Sequence, residues 1–257
     1  FNISKMLSFL NQNTQLRSLN CNKIQKKIIK KMGIKFKALN KNIGNRYYSS
    51  ILDKKGKMIF GLAKMDDYEN FNDFKNVETF ANKNIILDLN LSSNFINKFV
   101  TKNSKKNYIC ICGTSAHKVY KIKNLLNKID TIILNKQESF ILTNKKTIKD
   151  SLKYLISKNK KLNIIITNGQ NSVNAYLNKI LYISYPISIK VKNENGAGDD
   201  LCAVFNFYLS KSFNDLDSLN KGVVAGLLKA SGYEGSEKNY LTKIDRVSKS
   251  IKYKIIK

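Results

Sequence analysis

The octet NENGAGDD, residues 193–200, runs straight into the apolar stretch LCAVFNFYLSK. A turn that opens a helix needs at most one glycine. Here Gly196 and Gly198 flank Ala197, and two carboxylates, Asp199 and Asp200, follow. Removing side chains where helix N–H groups point outward makes room for an anion. The plainer alternative is a solvated loop with an acidic first turn, which the helix dipole also favours. The octet leaves both open, and the rest of the chain has to separate them.

Upstream of the octet, short apolar runs alternate with helical stretches. The runs at 84–89, 107–112, 131–135 and 163–167 predict strands, and the stretches near 92–101, 117–128 and 146–159 predict helices. That alternation argues for a parallel sheet covered by helices. A hairpin is expected at about 174–191 before the glycine turn, with helices near 200–211 and 217–231 after it. Residues 2–32 read as two amphipathic helices around a short apolar segment, and residues 46–63 as a β-hairpin about the turn DKKG. In such a fold, ligands gather at the carboxyl ends of the strands. Polar groups fall there repeatedly: Asp88 and Asn90, GTSAHK (113–118), NKQE (135–138) and TNGQ (167–170). Each alone reads as ordinary loop solvation. The Walker pattern GxxxxGK[ST] and a GxGxxG after a first strand are both absent, which excludes those two phosphate cradles.

The formal net charge of +28 invites a nucleic-acid reading. Only Arg17, Arg46 and Arg246 carry the guanidinium fork on which base and phosphate recognition leans. The lysines are spread along the chain, so weak, salt-dependent attraction of polyanions is expected, but no specific nucleic acid. His117 is the only histidine, and Cys110 and Cys112 alternate onto one strand face, so a zinc site is not expected. The four cysteines suit the core of a protein in a reducing compartment. No apolar run is long enough to span a membrane and no secretory leader is evident, so a cytoplasmic protein is expected. Pro186 is the sole proline and no linker composition appears, so a single domain over residues 1–257 is expected.

The octet with its apolar helix resembles the C-terminal motif of the ribokinase-like (PfkB) carbohydrate kinases, in which threonine usually precedes G-A-G-D. Within that family the likeness is closest to the pseudouridine kinases. It is carried by NISKMLSFL, LDKKGKMIFGLAKMDDY, DLNLSSNFINKF and TSAHKVYKIKNLLNKIDTIILNKQE, which stand in that order over nearly the whole chain. The resemblance implies a three-layer α/β/α sandwich with a mostly parallel central sheet and a small β lid, here the 46–63 hairpin. It implies transfer of the ATP γ-phosphoryl group to a sugar 5′-hydroxyl, with pseudouridine the favoured acceptor.

The residue roles follow from the resemblance. Asp199 would be the base that accepts the hydroxyl proton. N–H groups around Gly196, Ala197 and Gly198 would stabilise the transferring phosphoryl group. Asn135 and Glu138 match N-x-x-E, which helps hold Mg²⁺, Glu138 through water. Thr167, Gly169 and Asn195 would lie along ATP. Asn2, Lys118 and Asp88 would approach substrate or phosphate, and Asp200 is expected to cap the helix or favour its dipole. A homodimer through the lid is within the family's habits.

The chain also departs from the family pattern. Asn195 stands for threonine, and Ser172 for the second glycine of T-x-G-x-x-G. Lys64 stands for an acidic residue, Asn45 for a lid threonine, and Cys112-Gly113 for an acidic–proline pair. Asn2 matches the residue just after a di-glycine, so the first strand and its substrate-binding aspartate are expected to be missing. A catalytically silent ribokinase-like binding module is the alternative these departures leave, and a polyanion-binding protein a third.

Overall fold

The computed structural model describes residues 1–43, 47–54, 58–73 and 77–256. Asn45, Arg46 and the Lys55–Gly56 part of the expected hairpin turn lie outside the described residues. The chain divides into two compact units: Phe1–Tyr68 with Ile187–Ile251, and Glu69–Pro186 with the C-terminal strand.

The first unit opens with α1 (Asn2–Phe9), β1 (Gln15–Asn20), α2 (Lys23–Lys31) and β2 (Lys35–Ile43). The two expected helices are there, and the apolar segment between them is a strand. β1 pairs in parallel with β2, Leu16 opposite Phe36, and α2 is the crossover that parallel pairing requires. Asn22 starts α2 by accepting from Gln25 N–H in a capping box. β3 (Tyr47–Leu52) and β4 (Met58–Lys64) then form the expected antiparallel hairpin, Ser49 opposite Leu62, with Tyr47, Tyr48, Ile51, Phe60 and Leu62 exposed. The short helix α3 (Asp66–Glu69) follows.

The second unit is built on one seven-stranded sheet. Its strands are β5 (Asn84–Leu87), β6 (Tyr108–Cys112), β7 (Thr131–Asn135), β8 (Asn163–Thr167), β9 (Val173–Leu177), β10 (Ile180–Tyr185) and β11 (Lys252–Ile256), in the spatial order 11-10-9-8-7-6-5. β5 to β8 are mutually parallel, and β8 to β11 pair antiparallel. Outside the hairpin, parallel pairings therefore outnumber antiparallel ones. Ile109, Ile111, Ile132, Leu134 and Ile164–Ile166 are buried, as the aliphatic residues of central parallel strands should be. Cys110 and Cys112 are core residues of β6, as expected.

The helices of this unit are α4 (Ser93–Asn103), α5 (Lys136–Thr143) and α6 (Ile148–Lys158). The helix expected over 117–128 is instead a 3₁₀ turn at Val119–Ile122 followed by further turns. Its hydrogen bonds are of the i→i+3 type: Lys121 N–H to Lys118, Leu125 N–H to Ile122, Lys128 N–H to Leu125. Val119, Ile122 and Leu125, spaced by three, are all buried, which is the periodicity of the tighter helix. Lys121 is drawn inward as well, its ammonium donating to the Leu89 and Leu91 carbonyls at 2.9 and 2.8 Å and pairing with Glu69.

Three helices complete the first unit: α7 (Ala197–Ser210), α8 (Asp215–Ala230) and α9 (Glu237–Ser248). α7 starts earlier than the sequence suggests, so the glycine turn is itself the first turn of the helix. Phe205 and Val204 of α7 are fully buried, and Phe9 of α1 meets Tyr240 of α9 edge-to-face at 5.5 Å. Among the described residues no helix is long and apolar enough to cross a membrane.

Candidate active site

In the first unit the amino end of α7 gathers several of the candidate residues. Gly196 is the N-cap, in the left-handed conformation at φ +80°, which a residue without Cβ adopts freely. Ala197 N–H is taken by the Glu194 carbonyl at 3.2 Å, and Asp200 N–H by the Gly196 carbonyl at 3.0 Å. The N–H groups of Gly198 and Asp199 have no partner among the described residues, as expected of positions in a first helical turn. Of the Gly196–Gly198 triplet only the Ala197 N–H is taken among the described residues, and Asp199 adds an open N–H beyond it.

Asp199 accepts a 2.8 Å hydrogen bond from the Asn2 amide. Asn195 donates to Ser50 Oγ of β3 at 2.7 Å, which ties the hairpin to the residue before the glycine turn. Asp200 makes no side-chain cap at this helix end and is 6 % exposed. Of the two roles expected for Asp200, capping does not occur, because it follows the N3 position held by Asp199 and turns into the protein, while its place in the first turn is the one the helix dipole favours. Burial pushes its carboxyl up to about 7, with Lys229 pulling down, Asp199 pushing up and Lys5 pulling down.

In the second unit the other candidates lie at the carboxyl ends of parallel strands. Asn135 ends β7 and caps α5: its side chain accepts from Glu138 N–H at 2.9 Å, and Glu138 Oε2 accepts from Asn135 N–H at 2.8 Å. The N-x-x-E spacing is thus a capping box, and this alone would account for both residues. Yet Glu138 is also buried, and burial raises its carboxyl despite the Asn135 N–H bond that lowers it. Its carboxylate lies against Gly113, where a Cβ would overlap it, the Glu138 Cδ being 2.7 Å from that point. A side chain at 113, in the departing Cys112-Gly113 pair, would therefore force the Glu138 carboxylate to shift from its place in the cap.

Thr167 ends β8 directly opposite Asn135 in the β7–β8 register. Gly169 takes φ +57° in the following turn, with open space around it. After β5, Asp88 accepts from both the N–H and the amide of Asn90, at 3.0 and 2.9 Å. Lys118 donates to Asn90 Oδ1 at 2.8 Å and pairs with Glu69 at 3.1 Å. Asp88, Asn90, Lys118 and Glu69 thus form one chain of contacts. Glu69 escapes a reading of motifs because it lies in no strand-end loop.

Among the described residues no group of three or more His, Cys, Asp or Glu could cage a metal. Glu138 Oε1 receives no hydrogen bond from the described residues, so one hard oxygen remains beside the cap. That fits Mg²⁺, which keeps several waters and needs few protein ligands.

The sequence profile described as pfkB family carbohydrate kinase matches residues 7–239. The chain belongs to the PfkB family of carbohydrate kinases. PfkB carbohydrate kinases are phosphotransferases and use ATP. A carbohydrate kinase from Agrobacterium tumefaciens superposes with a TM-score of 0.79 at 19 % identity, over 99 % of this chain and 87 % of that one. The fructokinase from Vibrio cholerae O395, in its fructose-, ADP- and calcium-bound form, gives 0.74 at 11 % identity, over 95 % and 88 %. Adenosine kinase from Schistosoma mansoni, in complex with 2-fluoroadenosine, gives 0.69 at 14 %, over 93 % and 81 %. At such identities these likenesses establish the ribokinase-like α/β fold, with its mostly parallel sheet and helices. No curated protein matches the PfkB chain as a relative.

Proposed function

We propose that this PfkB carbohydrate kinase transfers the ATP γ-phosphoryl group to the 5′-hydroxyl of a nucleoside, with pseudouridine the favoured acceptor. The observation that carries the reading is the Asp199 carboxylate at the amino end of α7, beside N–H groups left open by a glycine turn. The acceptor rests on the long central likeness to pseudouridine kinases, TSAHKVYKIKNLLNKIDTIILNKQE.

Asp199 accepts the hydroxyl proton as the oxygen attacks, and the α7 N–H groups offset charge on the phosphoryl oxygens. In the second unit, Thr167 and Gly169 line the nucleotide, and Lys118, held by Asn90 and Glu69, offers its charge to phosphate or substrate. Glu138, aided by Asn135, would hold Mg²⁺ through water; the ion supplies charge neutralisation along the phosphates. Asn195 borders the nucleotide and, through Ser50, holds the hairpin that acts as the lid. Asp88 and Asn2 complete the substrate side. Residues 1–257 would serve as one kinase domain. The exposed apolar side chains of the hairpin support a homodimer formed through it, and core cysteines with ATP as donor support a cytoplasmic location.

The test is ADP release with Mg-ATP and a panel of pseudouridine, uridine, adenosine, ribose and fructose. Turnover highest with pseudouridine supports the acceptor. Turnover with another member corrects the acceptor alone. No turnover with any, while ATP still binds, replaces the reading with that of a silent nucleotide-binding module.

A further inference from the structure

The last turn of α8 brings a cation to the amino end of α7. Two glycines let these helices lie close together. A Cβ on Gly222 would come within 3.0 Å of the Leu201 carbonyl oxygen, and one on Gly226 within 3.0 Å of that of Ala197. Lys229 stands three residues beyond Gly226, on the same face of α8. Its side chain therefore runs over the glycine turn: Lys229 Cε lies 3.2 Å from the point a Cβ on Gly196 would occupy. The Asn2 amide nitrogen is 3.5 Å and Asp199 Oδ2 4.0 Å from that same point. An ammonium-bearing stem, an amide and the candidate base converge on one small volume that only a glycine leaves open.

A lysine in the last turn of a helix is commonplace, because it offsets the C-terminal dipole. That role needs no reach across a second helix. Lys229 is exposed, and it makes no hydrogen bond or ion pair with the described residues. Its positive charge acts on Asp200, the second carboxylate of the turn. Asp199, joined by Asp200 when it is ionised, would repel an incoming triphosphate, and the helix N–H groups supply only partial charges against them.

We propose that Lys229 is a catalytic residue: its ammonium contacts the transferring phosphoryl group at the amino end of α7 and offsets the repulsion of Asp199 and Asp200. This deepens, and rests on, the phosphotransfer reading. In the step, the acceptor oxygen forms a bond to the γ-phosphorus, and the bond from that phosphorus to the β,γ-bridging oxygen breaks. The electron pair leaves with ADP, the hydroxyl proton passes to Asp199, and Lys229 keeps its protons throughout. Its charge adds to the partial charges of the helix N–H groups where negative charge develops on the phosphoryl oxygens, so its effect belongs to the transition state more than to ATP binding.

The test compares wild type, Lys229→Met, Lys229→Arg and the control Lys238→Met, which removes one exposed charge from α9. With Mg-ATP and the best acceptor, Lys229→Met is expected to lower kcat about 100-fold with ATP affinity changed less than about twofold. Lys229→Arg should recover about tenfold of that loss, and Lys238→Met should match wild type. Binding of inorganic phosphate, followed by calorimetry, should weaken about tenfold in Lys229→Met and not in the control. Equal kcat and equal phosphate binding in Lys229→Met and wild type would overturn the assignment while leaving the kinase standing. A wild type without turnover, whose phosphate binding still depends on Lys229, would uphold the anion contact and sink phosphotransfer instead.

Discussion

The Asn2 amide donates a 2.8 Å hydrogen bond to Oδ2 of Asp199, across 197 positions of sequence. It commits one carboxylate oxygen to the protein and leaves the other open, where the proposed mechanism would have it meet the acceptor hydroxyl. Asn2→Ala should therefore misplace the base. A hydrogen bond to a charged group contributes about 1.5–3 kcal/mol, so kcat should fall at least about tenfold, with KM for ATP little changed. Steady-state kinetics check this. Faster turnover in the variant would show that Asn2 blocks the base instead of orienting it.

Gly113 and Glu138 form a second pairing that one added methyl group tests. A Cβ at 113 would overlap the Glu138 carboxylate, which is itself tied to Asn135 N–H. Gly113→Ala should lower stability by about 2–3 kcal/mol, through overpacking and loss of the α5 cap. Gly169→Ala meets open space and carries only the strain of its positive φ, about 1 kcal/mol. Denaturant melts should rank the two in that order. Equal losses would contradict the close fit at Gly113.

The buried Asp200 makes stability depend on pH. Its carboxyl is pushed up to about 7 from 3.8, by burial first. The folded chain thus holds this proton more tightly than the unfolded chain does. The stability Asp200 contributes is complete below the unfolded value and is lost as pH rises through about 7. Asp200→Asn removes the charged form, so it should stabilise the protein by about 2–4 kcal/mol near pH 8 and by little near pH 4. Thermal melts at the two pH values measure the difference. A gap that does not change with pH would contradict it.

Much of this was legible in the sequence because the second unit's strands are short, β-branched runs bounded by polar loops. NYICIC, TIILN and NIIIT fall within a residue of β6, β7 and β8. β2 was not, since KFKALNKNI mixes lysine and asparagine into its alternation. α5 was missed because its opening, NKQE, reads as a loop until its capping box is seen. The spacing by three of Val119, Ile122 and Leu125 also fits an ordinary helix, and only the i→i+3 hydrogen bonds distinguish the tighter one. At the candidate site, the glycine turn and both carboxylates stood out as a motif. Lys229 and Glu69 did not, because their places depend on how helices pack and on a contact between distant residues.

The most direct test of phosphotransfer through Asp199 is ADP release with Mg-ATP and pseudouridine, by wild type and by Asp199→Asn. Loss of the base should cost at least about 100-fold in kcat, with ATP still bound. Acceptor-dependent turnover that collapses in the variant is the predicted result. Turnover that persists undiminished in Asp199→Asn would contradict the account.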